Sequence, residues 1–281
     1  GMVRCLLKAG RKCVVWNRDR VKAELILREY PDLVEVAESA GDVIAKCETT
    51  FCMLSTLEAS DAVFPEVEAA VTLEGKTIVD CATLTPERMI AMEKVVLEKG
   101  GTFMEAPVSG SKVPAELGQL IFLCGGSDKA VFDKVKPELD LMGKASFFFG
   151  VCGAGSKVKL IINMIMAAQL AALGEGFALA EAAGLPLEGD NGLLKVLEIN
   201  VVNSPMIKLK GPKMIQGDYT PNFPLKHMQK DTRFALQLGD DLAVNLPVAA
   251  ATNAQFIKAK QSHADDDFAA IYETQKKQKY D

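Results

Sequence analysis

Histidine and tryptophan are nearly missing from this chain: two histidines, one tryptophan and only 6% aromatic residues in 281. His227 and His263 stand in polar stretches, away from any cysteine or carboxylate at ligand spacing, so no metal site is expected. The seven cysteines (Cys5, Cys13, Cys47, Cys52, Cys81, Cys124, Cys152) include no C-x-x-C pair. An odd count without a signal peptide argues against a secreted disulfide framework. It points to reduced, structural thiols in an intracellular protein, cytoplasmic in the first place with an organelle left open. Basic charge is not in excess, 32 Lys and Arg against 37 Asp and Glu for a net of −5, which leaves no field to hold a nucleic-acid backbone. No apolar run reaches membrane-spanning length: the longest candidate, residues 160–173, is interrupted by Asn163 and Gln169, and a soluble protein with no membrane partner is expected.

What remains, 49% apolar and 25% charged residues, is the mixture of a globular protein long enough for two ordinary domains. Residues 12–16, 49–54, 77–81 and 101–104 read as strands, rich in Val, Ile, Phe and Thr. Between them, residues 19–28, 39–47 and 86–99 carry apolar positions at helical spacing, the last opening on Thr85-Pro86 as cap and first-turn proline. A strand at 119–124, a helix at 127–141 and a strand at 146–149 continue the alternation. The rhythm predicts a Rossmann-like doubly wound α/β domain, whose ligands sit beyond the carboxyl ends of its strands. At Gly153-Ala154-Gly155 the texture changes, and every later segment reads helical. The expected domains are 1–152, dinucleotide-binding, and 153–281, all-α. The acidic run 265–267 and the lysine-rich tail from Lys276 read as solvated ends.

A nucleotide-binding sheet of this kind opens with a strand feeding a G-x-G-x-x-G turn into a helix, because backbone N–H groups and the helix N-terminus neutralise a pyrophosphate. Neither is in the sequence. Residues 2–9 read as the remainder of that first helix, closed by Gly10. This places the first strand and its glycines upstream and predicts weak dinucleotide binding by the chain as numbered.

Several residues have the chemistry of a site. At the end of the strand over 12–16, Asn17-Arg18 lies where such folds discriminate the adenosine ribose; a neutral Asn beside Arg suits a 2′-phosphate and points to NADP. The alternative is an ordinary polar strand end, and Asp19 would repel a phosphate. Residues 105–114 (EAPVSGSKVP) form a loop of small residues after a strand end, in which Ser109 and Gly110 offer a rotatable donor and close backbone approach. In GAGSKVKLIIN, residues 153–163, Lys159 and Asn163 are four apart and share a helix face, whereas Lys157, rotated by roughly 200° from Lys159, does not. The helix around the pair is apolar, so Lys159 is either a buried working amine or a lysine snorkelling to solvent. Asp231, in a helix over 225–238, borders the apolar face and meets either Lys159 or local basic side chains.

Taken together, VVWNR, VDCATLTPER, EAPVSGSKVPAELGQLI, GAGSKVKLIINMI and NFPLKHMQKDTRFALQLGD resemble the β-hydroxyacid dehydrogenase family over residues 2–270, most closely its plant-type glyoxylate/succinic semialdehyde reductases. The resemblance implies a Rossmann domain, a long interdomain helix, an all-helical second domain, NADPH as cofactor and a homodimer or homotetramer. It implies that Lys159 is the catalytic lysine, that Ser109, Gly110, Asn163, Phe223 and Asp231 bind substrate, and that Asn17, Arg18, Leu54, Ser55, Thr83 and Lys230 approach the cofactor. Two positions depart from the family pattern: Asp19, where the family has Thr, and Thr56-Leu57, where it has Asp-Pro.

The implied reaction is NADPH-dependent reduction of a small aldehyde acid, glyoxylate to glycolate or succinic semialdehyde to 4-hydroxybutyrate. In it a lysine ammonium stabilises the charge that hydride addition leaves on oxygen, and supplies the proton. Two other readings stay open: a 3-hydroxyisobutyrate or tartronate semialdehyde dehydrogenase/reductase, and a catalytically silent assembly domain, a branch that lacks the lysine. The decarboxylating 6-phosphogluconate relatives carry His before the asparagine, and here that residue is Ile162.

Overall fold

The computed structural model describes residues 1–276, so residues 278–281, and all of the lysine-rich tail but Lys276, lie outside the described residues. By internal packing the chain divides into two compact units, Gly1–Lys159 and Leu160–Asp281. The division falls within a long helix, later than the change of texture at residue 152.

The first unit runs α1 (Met2–Lys8), β1 (Cys13–Val15), α2 (Arg20–Glu29), β2 (Val34–Val36), α3 (Ala40–Lys46), β3 (Thr49–Cys52), α4 (Leu57–Glu68), β4 (Thr77–Asp80), α5 (Pro86–Glu98), β5 (Thr102–Glu105), β6 (Val108–Ser109), α6 (Lys112–Glu116), β7 (Leu120–Cys124), α7 (Lys129–Met142), β8 (Gly143–Phe148) and the start of α8 (Ala154–Ala182). Helices begin where a hydroxyl can accept an otherwise unpaired amide: Ser39 caps α3, Thr56 caps α4, and Thr85, ahead of Pro86, caps α5. β1 pairs with β2, and β3 with β4 and β5, all in parallel. β7 lies parallel to β8 and antiparallel to β6, and a bridge from Glu105 to Gly125 joins the ends of β5 and β7. Helical side chains cover the strands with two cores, one around Val79, Met104 and Phe122, the other around Ile78, Leu84 and Met89. This is the Rossmann-like α/β unit that the alternation predicts.

Among the described residues β1 pairs only with β2, and β3 only with β4 and not with β1, so each keeps one open edge. A cavity of about 480 Å³ opens at their amino ends, lined by Cys13, Val14, Val34, Cys47 and Thr49 among others.

Three details differ from expectation. Residues 105–114 are not one loop, because Val108 and Ser109 pair with Phe122 and Ile121 and a helical turn, α6, follows. β2 and α4 stand where no element is expected: Pro65 lies inside α4, and Ser60, Phe64 and Val67 anchor its buried face. α8 is long and apolar enough to cross a membrane by length and composition, which corrects the statement that no run reaches that length. Asn163 and Gln169 do not break it. Of its most apolar window, 44% is packed inside the protein.

All seven cysteines are free thiols, Cys5, Cys81, Cys124 and Cys152 buried and Cys13, Cys47 and Cys52 half-buried. Desolvation pushes the thiols of Cys13, Cys47, Cys52, Cys81 and Cys152 up, and that of Cys124 to about 12.

The second unit is all helical. It holds the rest of α8, then α9 (Leu193–Ile199), α10 (Pro205–Gln216), α11 (Leu225–Asp241), α12 (Pro247–His263) and a 3-10 segment, Phe268–Thr274. Its core gathers Phe177, Met214, Met228, Phe256 and Tyr272. One member of the acidic run does not behave as a solvated end. Asp267 is 0% exposed and ion-paired with Lys210, itself 2% exposed, both carboxylate oxygens lying 2.7 Å from Nζ. The same carboxylate accepts the amides of Asn222 at 2.9 Å and Ala269 at 3.1 Å, so it ties α10, the loop before α11 and the 3-10 segment together. Removing one partner of such a pair strands the other charge in the core. Asp267→Ala is expected to cost about 3–5 kcal/mol in urea unfolding, and Lys210→Met/Asp267→Leu distinctly less; equal losses would mean that the charges are not the cause.

Candidate active site

Five of the residues expected to approach a cofactor follow the carboxyl ends of parallel strands in the first unit. Asn17 and Arg18 come just after β1, Leu54 and Ser55 just after β3, and Thr83 just after β4. Asn17 and Arg18 are exposed, and the Asn17 side-chain oxygen accepts the Asp19 amide at 2.9 Å, a local turn that starts α2. The Asp19 carboxylate faces Lys22 at 3.7 Å, which draws its charge toward its own helix. Leu54 is half-buried and Ser55 exposed, and Thr83 is half-buried. At the end of β4, the buried Asp80 carboxylate accepts the Ala82 amide at 2.8 Å. Burial pushes it up to about 6 against that bond.

Carboxyl strand ends are where a doubly wound sheet binds a dinucleotide. An outward guanidinium after β1, beside an asparagine rather than a carboxylate, fits the 2′-phosphate of NADP. The phosphate-cradling glycine turn is not in the sequence, so the fit rests on the ribose end and on the loops after β3 and β4. The 480 Å³ cavity, at the opposite, amino ends of the strands, is not part of this arrangement.

Ser109 closes β6, half-buried, and Gly110 follows with φ +133. A Cβ at Gly110 would come within 2.8 Å of the Leu120 side chain, so only glycine fits at the end of this turn. Further along, Lys159 is 7% exposed on α8, while Lys157 is exposed, as their spacing predicts.

In the second unit three expected residues meet. Asn163, 1% exposed, donates its Nδ2 to Asp231 Oδ2 at 2.6 Å. Asp231, also 1% exposed, holds Lys230 Nζ at 2.9 Å from its other oxygen. Lys230 in turn lies over the Phe234 ring at 5.2 Å. Phe223 is not among them: it packs edge-on against Phe268 at 5.7 Å and stacks on His227 at 6.3 Å.

Sequence reasoning passes over one residue. Glu105, assigned to a loop, is the last residue of β5 and 0% exposed. It accepts the amides of Gly155 at 2.8 Å and Ser156 at 3.1 Å, together with the Ser156 hydroxyl, at the head of α8. Burial pushes the carboxyl up to about 7 against those donors. The signal was an acidic residue at a strand end, paired with a Gly-Ala-Gly-Ser helix start.

Comparison with known proteins decides the family. Residues 1–153 match the NAD-binding domain of 6-phosphogluconate dehydrogenase, and residues 153–274 match the NAD-binding domain of NADP-dependent 3-hydroxyisobutyrate dehydrogenase. The chain is 44% identical over 274 residues to glyoxylate/succinic semialdehyde reductase 1 of Arabidopsis thaliana, covering 96% of this chain and 92% of that one. The chain belongs to the β-hydroxyacid dehydrogenase family. As a member it is an NADP-dependent oxidoreductase acting on a small molecule. The family fold is shared with 3-hydroxyisobutyrate dehydrogenase of Mycobacterium tuberculosis, solved with L-serine, at a TM-score of 0.85 and 25% identity over 97% of this chain and 94% of that one. The chain is also 34% identical over 275 residues to the cytokine-like nuclear factor N-PAC of Xenopus tropicalis, 97% of this chain but 50% of that protein.

Two outcomes are expected of a β-hydroxyacid dehydrogenase with this geometry. Arg18→Ala should weaken NADPH binding about tenfold and leave NADH binding within about twofold, as one charge-assisted phosphate contact is lost; equal weakening of both cofactors in a fluorescence titration would take Arg18 away from the 2′-phosphate. Asp80 and Glu105 both titrate above their unfolded values, so the folded chain holds more protons and loses stability as pH rises from about 4 to about 7. Urea midpoints at pH 5 and pH 8 should show Glu105→Gln with a smaller decline than wild type; an unchanged decline would mean that Glu105 is already ionised at pH 5.

Proposed function

We propose that the chain reduces a small aldehyde acid, glyoxylate to glycolate or succinic semialdehyde to 4-hydroxybutyrate, with Lys159 as the general acid. The observation that carries the reading is a lysine 7% exposed on an apolar helix, one turn ahead of an equally buried asparagine. An ammonium kept from water is tolerated where it is paired and hydrogen-bonded, and a carbonyl oxygen gaining charge is a group it can serve. NADPH, when bound, supplies the hydride. The ammonium of Lys159 holds a proton at the carbonyl oxygen, stabilising the negative charge that gathers there and then neutralising it.

Ser109 and Gly110 grip the substrate carboxylate through a hydroxyl and a main-chain amide. Asn163 orients the substrate through its carboxamide, whose direction Asp231 fixes. Phe223 supplies an apolar wall. Asn17, Arg18, Leu54, Ser55, Thr83 and Lys230 serve the cofactor. In this reading residues 1–152 carry the dinucleotide and residues 153–281 the substrate and the contacts of a homodimer or homotetramer, in a soluble intracellular enzyme.

Identity to the Arabidopsis reductase supports the choice of substrate. A second reading, oxidation of a 3-hydroxy acid such as 3-hydroxyisobutyrate, draws on the Mycobacterium tuberculosis fold and uses the same residues, with Lys159 taking the hydroxyl proton as general base while NADP+, when bound, accepts the hydride. Lys159 speaks against a silent assembly domain.

The test is a steady-state screen of small semialdehydes and 2-oxo acids with both nicotinamide cofactors. Glyoxylate or succinic semialdehyde with NADPH is expected to give the highest kcat/KM. Lys159→Ala should lose about 10²–10⁴ in kcat with NADPH affinity kept. Wild-type turnover by the alanine variant would remove the lysine from its role, and a higher kcat/KM for 3-hydroxyisobutyrate with NADP+, assayed in the oxidative direction, would favour the second reading.

A further inference from the structure

We infer that Glu105 is a positioning residue for Lys159: its carboxylate, at the fixed end of β5, sets the rotation and axial position of the helix turn from which the lysine projects. The inference rests on the catalytic reading of Lys159 given above.

Four observations converge. First, Glu105 cannot shift. Its backbone exchanges hydrogen bonds with Gly125 at 2.9 and 3.0 Å, and it is 0% exposed. Second, its two oxygens take consecutive amides, Gly155 on one and Ser156 on the other, with the Ser156 hydroxyl as a third donor. The first amides of a helix have no partner within it, and a carboxylate there also meets the positive end of the helix dipole. A single bond would hold the helix end but let it turn. Two bonds from one rigid group to successive amides fix the rotation as well.

Third, the seat has no slack. A Cβ at Gly155 would lie 2.1 Å from the Leu123 carbonyl oxygen, and one at Gly125 would lie 2.5 Å from a Glu105 carboxylate oxygen. The head of α8 is pressed directly onto the ends of β5 and β7. Fourth, Ser156, Lys159 and Asn163 follow one another at spacings of three and four, so they form a single polar stripe along an otherwise apolar helix. All three are buried. A rotation at Ser156 therefore passes straight to Lys159, one turn away. Displacement of an acid or a reacting atom by about 1 Å costs on the order of 10²-fold in rate.

A carboxylate that merely capped a helix would matter for folding alone, and a double-mutant cycle separates the two roles. With glyoxylate and NADPH, Glu105→Gln is expected to lower kcat about 10- to 100-fold while KM for NADPH stays within about twofold. Ser156→Ala, which leaves the carboxylate and both amides in place, should lower kcat by less, in the same direction. In the Lys159→Ala background both losses should vanish, since a misplaced acid costs nothing once the acid is gone. If either variant lowers kcat by the same factor with and without Lys159, or leaves kcat unchanged, Glu105 is only a cap and the inference is wrong. Should Glu105→Gln not fold, Ser156→Ala carries the cycle. Full turnover by Lys159→Ala alone would defeat the catalytic reading itself, a different outcome from a Glu105 effect that survives its removal.

Discussion

A helix that is apolar over 29 residues has to answer for each polar group it buries, and α8 buries three on one stripe: Ser156, Lys159 and Asn163. Burial of an unsatisfied polar group costs more than most single contacts return. The surrounding chain is arranged to meet this demand. Ser156 is answered by Glu105, brought up by a strand end, and Asn163 by Asp231, brought up by α11. The first answer fixes the head of the helix and the second fixes a carboxamide one turn past the lysine. The lysine lies between two points that are held.

The residues proposed to meet the cofactor depend on strand ends. A parallel strand stops where its pairing stops, and the few residues after it are free to turn outward while still anchored by the sheet. Asn17 and Arg18 after β1, Leu54 and Ser55 after β3, and Thr83 after β4 all occupy such positions. Their turns are stabilised locally, by the Asn17 oxygen on the Asp19 amide and the Asp80 carboxylate on the Ala82 amide. Local turns of this kind hold a loop without committing its outward donors, which suits a surface meant for a charged ligand.

Much of this was legible beforehand, for physical reasons. Strands announce themselves by β-branched and aromatic residues, and α5 by Thr85-Pro86, because these signals are local. The one-face spacing of Lys159 and Asn163 was legible because helical period is a geometric fact. What escaped needed distance information. Nothing local says that Glu105, in a stretch of small residues, would turn inward to a helix fifty residues on, or that Asp267, in an acidic run, would sit on a buried lysine. Both are acidic side chains whose partners come from remote sequence, and composition treats them as solvated. α4 was not read from the sequence, and it carries Pro65 in its interior. The polar residues of α8 misled in the opposite direction: Asn163 and Gln169 looked like interruptions of an apolar run, and the helix continues through both.

Burial of the cysteines has a chemical consequence. Aldehydes add reversibly to sulfur nucleophiles, and the attacking species is the thiolate rather than the thiol. Four of the seven cysteines are buried and three half-buried, and desolvation raises six of their thiols further from ionisation. Thiols held protonated by desolvation are poor nucleophiles toward electrophilic carbonyl compounds.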